Sequence, residues 1–578
     1  MKTVVLILTI LACLSDSLYG QMFDNVWVMG YNWDSDPEAE TYRLNFDTFP
    51  PQVEIAPGEV RIWDAYAGIC DSAGRLILYT NNCSIADGNG EIISNGDSMT
   101  FGWELDWCND YLFHPYEMQN IILPSTKERN KYLFVNKSTY KSAGIPLIIY
   151  QNKINYSIVQ NQDSKNIYNV TQKNNLILEG RFSYGELTAV KHGNGRDWWL
   201  PIPDETGNSI YLVLCEKDSF YLHSTQSLGP EWANSGSFQA SFSPDGAKYV
   251  RYNRYYGLYL YDFDRCSGQF SNVQFFSITS TTQGIKSGAC FSPDNSKIYY
   301  ADYDSLYQLD VLMPDILMSK QLVAVYDGYV SGIIGTKFSR IVHGADGRLY
   351  VIPPGSTSAM HIINRPNLKG VACDVQQHKL EFPNPYLNPP THPHYRLGPL
   401  DGSACDTLGI DNLPLAGFRP EASDTSSLAW HFWDISSYQP TQWYWDFGDG
   451  GAASQEISPT HQFSAPGLYT VCLTVSNAYG ADSHCKVVEV KTVGAGEAPE
   501  EGVIRVIPNP TTGELSISGI NASGCMVEVF DLSGKSVHTG EMRDNNLSLS
   551  HLQTGWYVIR LIHPQKGSVG ISKVAILK

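Results

Sequence analysis

The stretch SPDGAKYVRY, residues 243–252, combines a tight turn with the start of a strand. Pro244 presets the second position of a β-turn, and Gly246 suits the left-handed position of the same turn. Beyond the turn, polar and aromatic residues mix as they do in a strand that packs on its neighbours. The stretch SPDNSKIYY, residues 292–300, repeats this scheme with Asn295 in place of the glycine. Each stretch therefore predicts a β-hairpin.

The same turn-and-strand pattern occurs six times along the chain. Its left-handed residue falls at positions 74, 130, 195, 246, 295 and 347, so that the repeats lie 49 to 65 residues apart. A period of about 50 residues fits one blade of a β-propeller, whose short strands are covered by neighbouring blades. We therefore expect an all-β chain with a β-propeller of six or seven blades over residues 21–400. Residues 23–60 would supply either a seventh blade or the strand that closes the ring.

Four segments of this region carry a resemblance to a known family. They are NNCSIADGNGEIISNGD (81–97), LTAVKHGNGRDWWLPIP (187–203), ASFSPDGAKYVRYNRYYGLYLYDFDRCSG (240–268) and INRPNLKGVACD (363–374). These segments resemble the WD-repeat-like propeller found at the front of large secreted proteins of Bacteroidota. The resemblance implies a fold and an extracellular setting, and it implies no catalytic residues.

The first residues and the net charge restrict where the protein works. Residues 1–20 have the charged, apolar and small-residue order of a secretory signal, so we expect the mature chain to begin near Gln21. Cys13 offers a lipoprotein signal as an alternative, although Leu11 fits that pattern poorly. No later segment approaches the roughly 20 apolar residues of a transmembrane helix. The net charge of −19 offers no attraction to nucleic acid or to an anionic membrane, so neither is an expected partner.

A second domain is predicted after the proline-rich segment 383–399 and a linker at 401–415. Its stretch WYWDFGDGG, residues 443–451, could be a carboxylate site or a core strand followed by a tight turn. Two alternating tryptophans and two glycines favour the strand and turn, since a calcium loop shows more oxygen ligands. The WDFGDG motif and the later H.F...G.Y.V.L.V.N..G run resemble the PKD domain. That resemblance implies an immunoglobulin-like sandwich over 416–491 that serves as a spacer or adhesion module.

A disulfide is predicted within this second domain, between Cys472 and Cys485. If Asn477 faces Gly480 across a two-residue turn, the antiparallel register places the two cysteines opposite each other. Cys472 shares its strand face with threonines, so the bond would lie on the outer face. Eleven cysteines follow the signal, and this odd number leaves at least one unpaired or intermolecular. The pairing of the others stays open.

Residues 503–578, which follow an acidic linker at 492–502, form a third predicted domain. Short strands separated by turn residues predict a small β-sandwich. The order PNPTTG (508–513), VFDLSGK (529–535), the segment 552–560 and a terminal strand resembles the C-terminal sorting domain of the type IX secretion system. The resemblance implies contact with the type IX machinery, passage through the periplasm, and a final location outside the cell or on its outer surface.

A search for catalytic motifs finds no metalloprotease, nucleophile-elbow or phosphate-binding pattern. No catalytic, cofactor or metal site is predicted, and calcium is unsupported. His392 and His394 could ligate a metal, but they lie in the proline-rich segment without acidic residues nearby. Side chains that could stack on a sugar or hold an anion are concentrated in two strands, although packing within a blade is the favoured explanation for them. These candidate ligand-binding residues are Lys191, His192, Arg196, Trp198, Arg251 and Arg254.

Two functional hypotheses follow. The first is a non-catalytic binding or adhesion protein whose propeller loops recognise an extracellular glycan or protein at the channel mouth, with the PKD domain as a spacer. The second is a secreted hydrolase or lyase that acts on polysaccharide or protein, with the propeller as its catalytic domain. Two converging carboxylates, or a metal, at the channel mouth would favour the second hypothesis. The sequence favours the first and leaves enzymatic activity open.

Overall fold

A computed structural model describes the chain over residues 22–576, except for residues 31–40, 49, 57, 59, 61, 63–65, 112–118, 142–148, 164–166, 232–238, 254, 279–286, 387–389, 424–427, 492–501, 504, 508–512, 519–521, 532–534 and 564–566. The expected signal sequence, including Cys13, lies outside the described residues, and so does Arg254. The chain divides into two compact units. The first comprises residues 1–421, 432–459 and 470–487, and the second comprises residues 422–431, 460–469 and 488–578.

Seven successive sheets of three or four antiparallel strands make up most of the described part of residues 22–386. Sheet 1 contains β1 (Val26–Met29), β2 (Tyr42–Asn45) and β3 (Gln52–Ile55). Sheet 2 contains β4 (Ala67–Cys70), β5 (Leu76–Thr80) and β6 (Ile85–Asp87). Sheet 3 contains β7 (Asn120–Pro124), β8 (Lys131–Lys141), β9 (Ile149–Asp163) and β10 (Ile167–Phe182). A helix, α1 (Trp103–Tyr111), lies between sheets 2 and 3 in the chain.

The remaining four sheets have four strands each. Sheet 4 contains β11 (Val190–Lys191), β12 (Trp198–Pro203), β13 (Ser209–Glu216) and β14 (Ser219–Ser227), and sheet 5 contains β15 (Gln239–Phe242), β16 (Lys248–Asn253), β17 (Gly257–Asp264) and β18 (Gln269–Phe276). Sheet 6 contains β19 (Gly288–Phe291), β20 (Lys297–Asp302), β21 (Ser305–Asp310) and β22 (Gln321–Val325). Sheet 7 contains β25 (Arg340–His343), β26 (Leu349–Ile352), β27 (Thr357–Ile363) and β28 (Val375–Tyr386). Between sheets 6 and 7 the chain forms a short hairpin of β23 (Val330–Ser331) and β24 (Ile334–Gly335). Short 3₁₀ helices lie at Leu317–Ser319 and Gly370–Cys373.

Buried apolar clusters join each sheet to the next, and one of them joins sheet 7 back to sheet 1. In that cluster Trp27 of β1 packs edge-on against Tyr350 of β26, with 5.4 Å between the ring centroids. The seven sheets therefore close into a ring, and the predicted β-propeller is confirmed. Residues 23–60 contribute a sheet of their own to this ring.

The six turn residues expected at left-handed positions all have positive φ. They are Gly74 (82°), Asn130 (58°), Gly195 (76°), Gly246 (72°), Asn295 (63°) and Gly347 (75°). In the turn at residues 243–246, the amide of Gly246 donates to the carbonyl of Ser243 at 2.8 Å. The local turn signal thus sets the point at which each inner strand ends and its neighbour begins.

The PKD sandwich contains six strands: β29 (Phe418–Ala422), β30 (Ala429–Asp434), β31 (Gln442–Asp446), β32 (Thr460–Gln462), β33 (Gly467–Asn477) and β34 (Gly480–Val490). Strands β31, β33 and β34 form one sheet, and β30 pairs with β32 in another. Trp445 is fully buried and packs edge-on against Phe418 at 5.3 Å, whereas Tyr444 is half exposed. Trp445 is therefore a core residue, as the alternation predicted.

The two aspartates of the WDFGDG motif shape its turn. The amide of Gly448 donates to Asp446 at 2.9 Å, and the amide of Gly451 donates to Asp449 at 2.8 Å. Gly448 has a φ of 72°, which an L-residue with a side chain rarely adopts. The motif is a tight turn after a core strand.

Three disulfides connect described residues: Cys83–Cys108, Cys266–Cys405 and Cys472–Cys485. The last is the pair expected from the register, and Thr474 Oγ1 lies 2.8 Å from Ser483 Oγ in that same register. The bond between Cys266 and Cys405 ties the stretch 401–415, expected to be a linker, to the turn after β17. The described cysteines outside these bonds are all buried.

The C-terminal domain is a small sandwich of eight strands. They are β35 (Gly502–Val503), β36 (Arg505–Ile507), β37 (Glu514–Ser518), β38 (Met526–Asp531), β39 (Ser536–Glu541), β40 (Asn546–Ser548), β41 (Gly555–His563) and β42 (Gly567–Ile576). The sheet orders are β35-β42-β41-β38-β39 and β36-β37-β40. Ile517 of the smaller sheet and Val529 and Ile559 of the larger belong to one buried apolar cluster. Among the described residues, no helix is long and apolar enough to cross a membrane.

Candidate functional site

The inner strands of the propeller surround a narrow central channel. Residues of β1, β15, β19 and β25 line a common cavity there, together with a segment that follows the last sheet. The cavity has a volume of about 70 Å³, well below the roughly 300–1,000 Å³ typical of small-molecule sites. This cavity is therefore too small for a ligand of that kind.

The segment that narrows the channel consists of residues 390–400, which we call the closing segment. Its Tyr395 donates a hydrogen bond to the carbonyl of Ile122 in β7 at 2.7 Å. Arg396 pairs with Asp24, just before β1, at 2.6 Å. The chain after the last blade thus returns to the inside of the ring and bonds to sheets 1 and 3.

Histidines of the closing segment line the channel as neutral groups. Nε2 of His392 donates to the carbonyl of Gly68 at 2.9 Å, and the ring of His394 lies 4.7 Å from that of His343 in β25. Burial lowers the pKa of His392 and His394 to about 4 each, and it lowers the pKa of His343 well below its usual value. Among the described residues, no group of three or more His, Cys, Asp or Glu side chains is placed to hold a metal.

Candidate ligand-binding residues of β11 and β12 lie mostly inside their blade. Trp198 and Lys191 are only 1% and 5% exposed, and Lys191 Nζ lies 5.6 Å from the Trp198 ring centroid. Burial lowers the pKa of Lys191 to about 7. Arg196 pairs with Asp197 at 2.9 Å, and His192 is partly buried beside it. Trp198 and Lys191 thus lie within the blade, whereas His192 and Arg196 remain partly exposed.

Arg251 is also internal. Its guanidinium pairs with the carboxylate of Glu186 at 2.8 Å, and both side chains are fully buried. Burial alone would lower the pKa of Arg251, but the charge of Glu186 outweighs it and raises that pKa. Nearby, Lys137 donates to the carbonyl of Ser183 at 3.0 Å. This cluster joins adjacent blades, so Arg251 holds the propeller together.

A larger cavity opens between sheets 1 and 2. This cleft has a volume of about 370 Å³, within the range of small-molecule sites. Its apolar lining residues are Val26, Leu76 and Ile77. The charged residues along its walls are Arg43, Asp47 and Glu54 from sheet 1 and Asp71, Arg75 and Asp87 from sheet 2.

Turn geometry fixes the carboxylates on the sheet 2 side. Asp71 accepts the amide of Arg75 at 2.9 Å and pairs with its guanidinium at 2.7 Å. Asp87 accepts the amide of Asn89 at 2.8 Å. These are the acidic first residues of two tight turns, and their hydrogen bonds hold the wall of the cleft in one shape.

The sheet 1 side presents groups that are less constrained. Arg43 and Glu54 are cross-strand partners, and Glu54 is exposed. One terminal nitrogen of Arg43 donates to the carbonyl of Gly88 across the cleft. The Nε–H of Arg43 is buried and has no acceptor among the described residues. The sheet 1 wall therefore presents an exposed carboxylate beside an arginine that reaches across the cleft.

PKD residues that belong to the first compact unit lie close to the propeller. Turns between the first and second strands of successive blades lie on one face, and the cleft is built from the turn at 71–75. The PKD sandwich contacts the corresponding turn of sheet 7, where a Cβ on Gly347 would lie 2.6 Å from Ile435. Burial lowers the pKa of Lys486 in β34, and the charge of Asp47 in the cleft wall opposes that shift.

A buried carboxylate anchors this contact. Glu421 accepts hydrogen bonds from Arg365 at 2.9 Å, from Arg419 at 3.1 Å and from the indole of Trp433 at 2.7 Å. Burial would raise the pKa of Glu421, but these donors and the arginine charges hold it at about 2. Arg365 belongs to the propeller, so the network binds the first PKD strand firmly to sheet 7.

Two family models match parts of the chain. The PKD domain matches residues 416–492, and the secretion system C-terminal sorting domain matches residues 505–576. The sorting domain indicates that the protein is exported by the type IX route to the cell surface or the extracellular space. No match was found among curated proteins.

Solved structures with similar folds cover different parts of the chain. The PKD1 domain of the metalloprotease PrtV from Vibrio cholerae is 31% identical over 14% of this chain and 98% of its own, with a TM-score of 0.13. A putative 6-phosphogluconolactonase from Bacteroides uniformis is 11% identical over 62% of this chain and 98% of its own, with a TM-score of 0.38. PorZ, a surface component of the type IX secretion system of Porphyromonas gingivalis, is 9% identical over 93% of this chain and 96% of its own, with a TM-score of 0.15. These TM-scores are too low for any function to be transferred.

The sequence held a partial signal for the cleft. DSAGR (71–75) and DGNG (87–90) are recognisable turns, and the first of them belongs to the repeat pattern. Nothing in the local pattern indicates that sheet 1 lies beside them, because that contact depends on closure of the ring. The cleft was therefore not predicted from the sequence, although one of the two turns that form the sheet 2 wall was recognised.

Proposed function

We propose that this exported protein binds an extracellular ligand without transforming it, and that the ligand occupies the cleft between sheets 1 and 2. The main support for this proposal is the small volume of the cavity in the channel. Because the closing segment leaves only about 70 Å³ there, the cleft of about 370 Å³ is the better candidate for a ligand site.

The arrangement of charged groups in the cleft supports binding over catalysis. A general acid or base must be free to exchange a proton with the reacting group. Of the four carboxylates along the walls, Asp71 and Asp87 instead accept backbone amides within their own turns and Asp47 accepts the side-chain amide of Asn25 at 2.6 Å. Glu54 then stands without a second unconstrained carboxylate, such as a glycosidase pair would need. The chemistry of these carboxylates suits a rigid wall that recognises a ligand by shape and hydrogen bonding.

The PKD sandwich contributes to the same recognition module in this proposal. Because Glu421 bonds to Arg365 of the propeller and to Trp433, we propose that the first PKD strands are held against the propeller and do not move freely as a spacer would. The sorting domain then serves delivery to the cell surface or release outside the cell. Adhesion is the use of such a module that fits this location best.

The test is a binding and turnover screen with the mature full-length chain. Glycan and peptide arrays are probed with the wild-type protein, with Arg75→Glu in the cleft wall, and with Lys217→Glu as a matched surface control. We expect at least one ligand to be bound by the wild type and the control but lost in Arg75→Glu. Hydrolysis or elimination of the bound ligand would reject the proposal, and so would binding that Arg75→Glu leaves unchanged.

A further inference from the structure

We infer that the cleft recognises an uncharged sugar chain, so that the ligand is a neutral oligosaccharide or the end of a neutral polysaccharide. This inference rests on the proposed function, because it names the ligand class of the same cleft. Three properties of the walls carry it: their charge balance, their hydrogen-bonding groups and their apolar floor.

The charge balance disfavours anionic ligands. Two arginines, Arg43 and Arg75, face four carboxylates along the walls. Arg75 is already paired with Asp71 at 2.7 Å, so its charge is largely neutralised. An acidic sugar or a phosphate would meet a surplus of negative charge in a protein whose net charge is −19.

A basic peptide fits less well than a neutral sugar. The most exposed charged side chain of the sheet 2 wall is Arg75, which is 75% exposed and stands at the opening. A lysine or arginine side chain that comes close to this guanidinium would be repelled by it. A neutral ligand meets neither repulsion.

The hydrogen-bonding groups suit hydroxyls, which both donate and accept. Glu54 is an exposed acceptor, and its cross-strand partner Arg43 keeps a buried Nε–H without an acceptor among the described residues. A terminal nitrogen of Arg43 reaches the carbonyl of Gly88, which also lines the cleft, so the guanidinium extends to the cavity wall. Adjacent hydroxyls on one sugar ring could accept from Arg43 and donate to Glu54 together.

The floor of the cleft suits the other surface of a sugar. Val26 and Ile77 are nearly buried and line the cavity beside Leu76. The C–H face of a pyranose is apolar and can lie against such side chains while the hydroxyls reach the walls. At about 370 Å³ the cavity lies near the lower end of the usual range, which fits a ligand of one or two sugar rings.

The experiment is calorimetric titration of the mature chain, preceded by a neutral glycan array. Cellotriose, mannotriose and N,N′,N″-triacetylchitotriose are the first neutral probes, trigalacturonate is the acidic probe and trilysine the basic one. The neutral sugar that scores best on the array is then titrated into Glu54→Gln and into Glu179→Gln. Glu179 is an exposed glutamate of β10 outside the cleft, so it provides a matched control.

We expect a neutral sugar to bind, with an affinity lowered about tenfold or more by Glu54→Gln and unchanged by Glu179→Gln. Arg75→Ala is the second cleft variant, in case Glu54→Gln alters the fold. Neutral-sugar binding that neither cleft variant weakens would overturn the assignment to this cleft. If only trigalacturonate or trilysine binds, the sugar class is wrong while the binding function stands. If no neutral glycan binds, the inference fails, and if a bound sugar is cleaved, the proposed function fails as well.

Discussion

Acidification should destabilise the propeller through the histidines of the closing segment. The folded-state pKa of His392 and of His394 is about 4, lowered by burial, whereas an unfolded histidine titrates near pH 6.5. Between these values the unfolded chain binds more protons than the folded chain. Stability from these groups is therefore complete above about pH 6.5 and is lost as the pH falls towards 4.

The size of the effect follows from the two pKa values. For one histidine that moves from about 6.5 to about 4, the loss between pH 8 and pH 4.5 is about 2.5 kcal/mol. His392 and His394 together give about 5 kcal/mol if they titrate independently. That is a large share of the roughly 5–15 kcal/mol by which a domain is stable.

The assay compares wild type with the double variant His392→Gln, His394→Phe. Glutamine keeps a donor for the Gly68 carbonyl, and phenylalanine keeps a ring against His343. Guanidinium unfolding is followed by tryptophan fluorescence at pH 8 and pH 4.5, and the wild type should lose about 5 kcal/mol more than the variant. His223→Gln, on the exposed strand β14, should keep the wild-type loss. Equal losses in wild type and double variant would refute the argument that these histidines are held neutral.

Three further outcomes are expected. Glu421→Gln should destabilise the first unit by about 2–4 kcal/mol in chemical denaturation, because two arginines lose their shared carboxylate; no change would mean that the PKD contact is loose. Glu186→Gln should cost about 3–5 kcal/mol because the fully buried charge of Arg251 is left unpaired, and a stable variant with altered ligand binding would instead restore a ligand role for Arg251. The double variant Cys472→Ser, Cys485→Ser should lower PKD stability by about 2–3 kcal/mol, measured as a shift of its unfolding midpoint, whereas an unchanged midpoint would indicate that the bond constrains little.

The propeller could be predicted because its signal is local and repeated. A turn such as SPDG needs only its own four residues to favour a left-handed glycine, and Gly246 and Asn295 both adopt that conformation. The PKD turn is equally local, since Asp446 bonds an amide two residues away. Repetition at a near-constant spacing then leaves few architectures that can bury the strands.

The binding-site predictions were weaker because composition does not reveal which face of a strand is covered. Lys191 and Arg251 look like surface groups in the sequence, yet both are buried within the propeller. For Trp198 the sequence favoured blade packing over sugar stacking, and in the structure this side chain is buried. The polar cleft was missed for the opposite reason: its residues are ordinary turn and strand residues until sheet 1 is placed beside sheet 2.

The closing segment shows why the position of the proline-rich stretch inside the ring could not be predicted. Proline lacks an amide donor and cannot extend a sheet ladder, so such stretches normally run over the surface. Here side chains and single amides replace the ladder, as in the bonds of Tyr395 to Ile122 and of Arg396 to Asp24. A segment without strand periodicity can therefore fill an inner position of the ring, and sequence periodicity cannot find it.

This closure has a consequence for how the protein forms. Arg396 and Asp24 are 372 residues apart in sequence, so the channel is completed only after the whole propeller has been synthesised. Contacts of such long separation are formed late and slowly, because the loop between them must be ordered first. The chain then continues from Leu400, bonded to Gly193, through the Cys266–Cys405 disulfide towards the PKD sandwich. One continuous segment therefore both completes the ring and leads to the PKD sandwich.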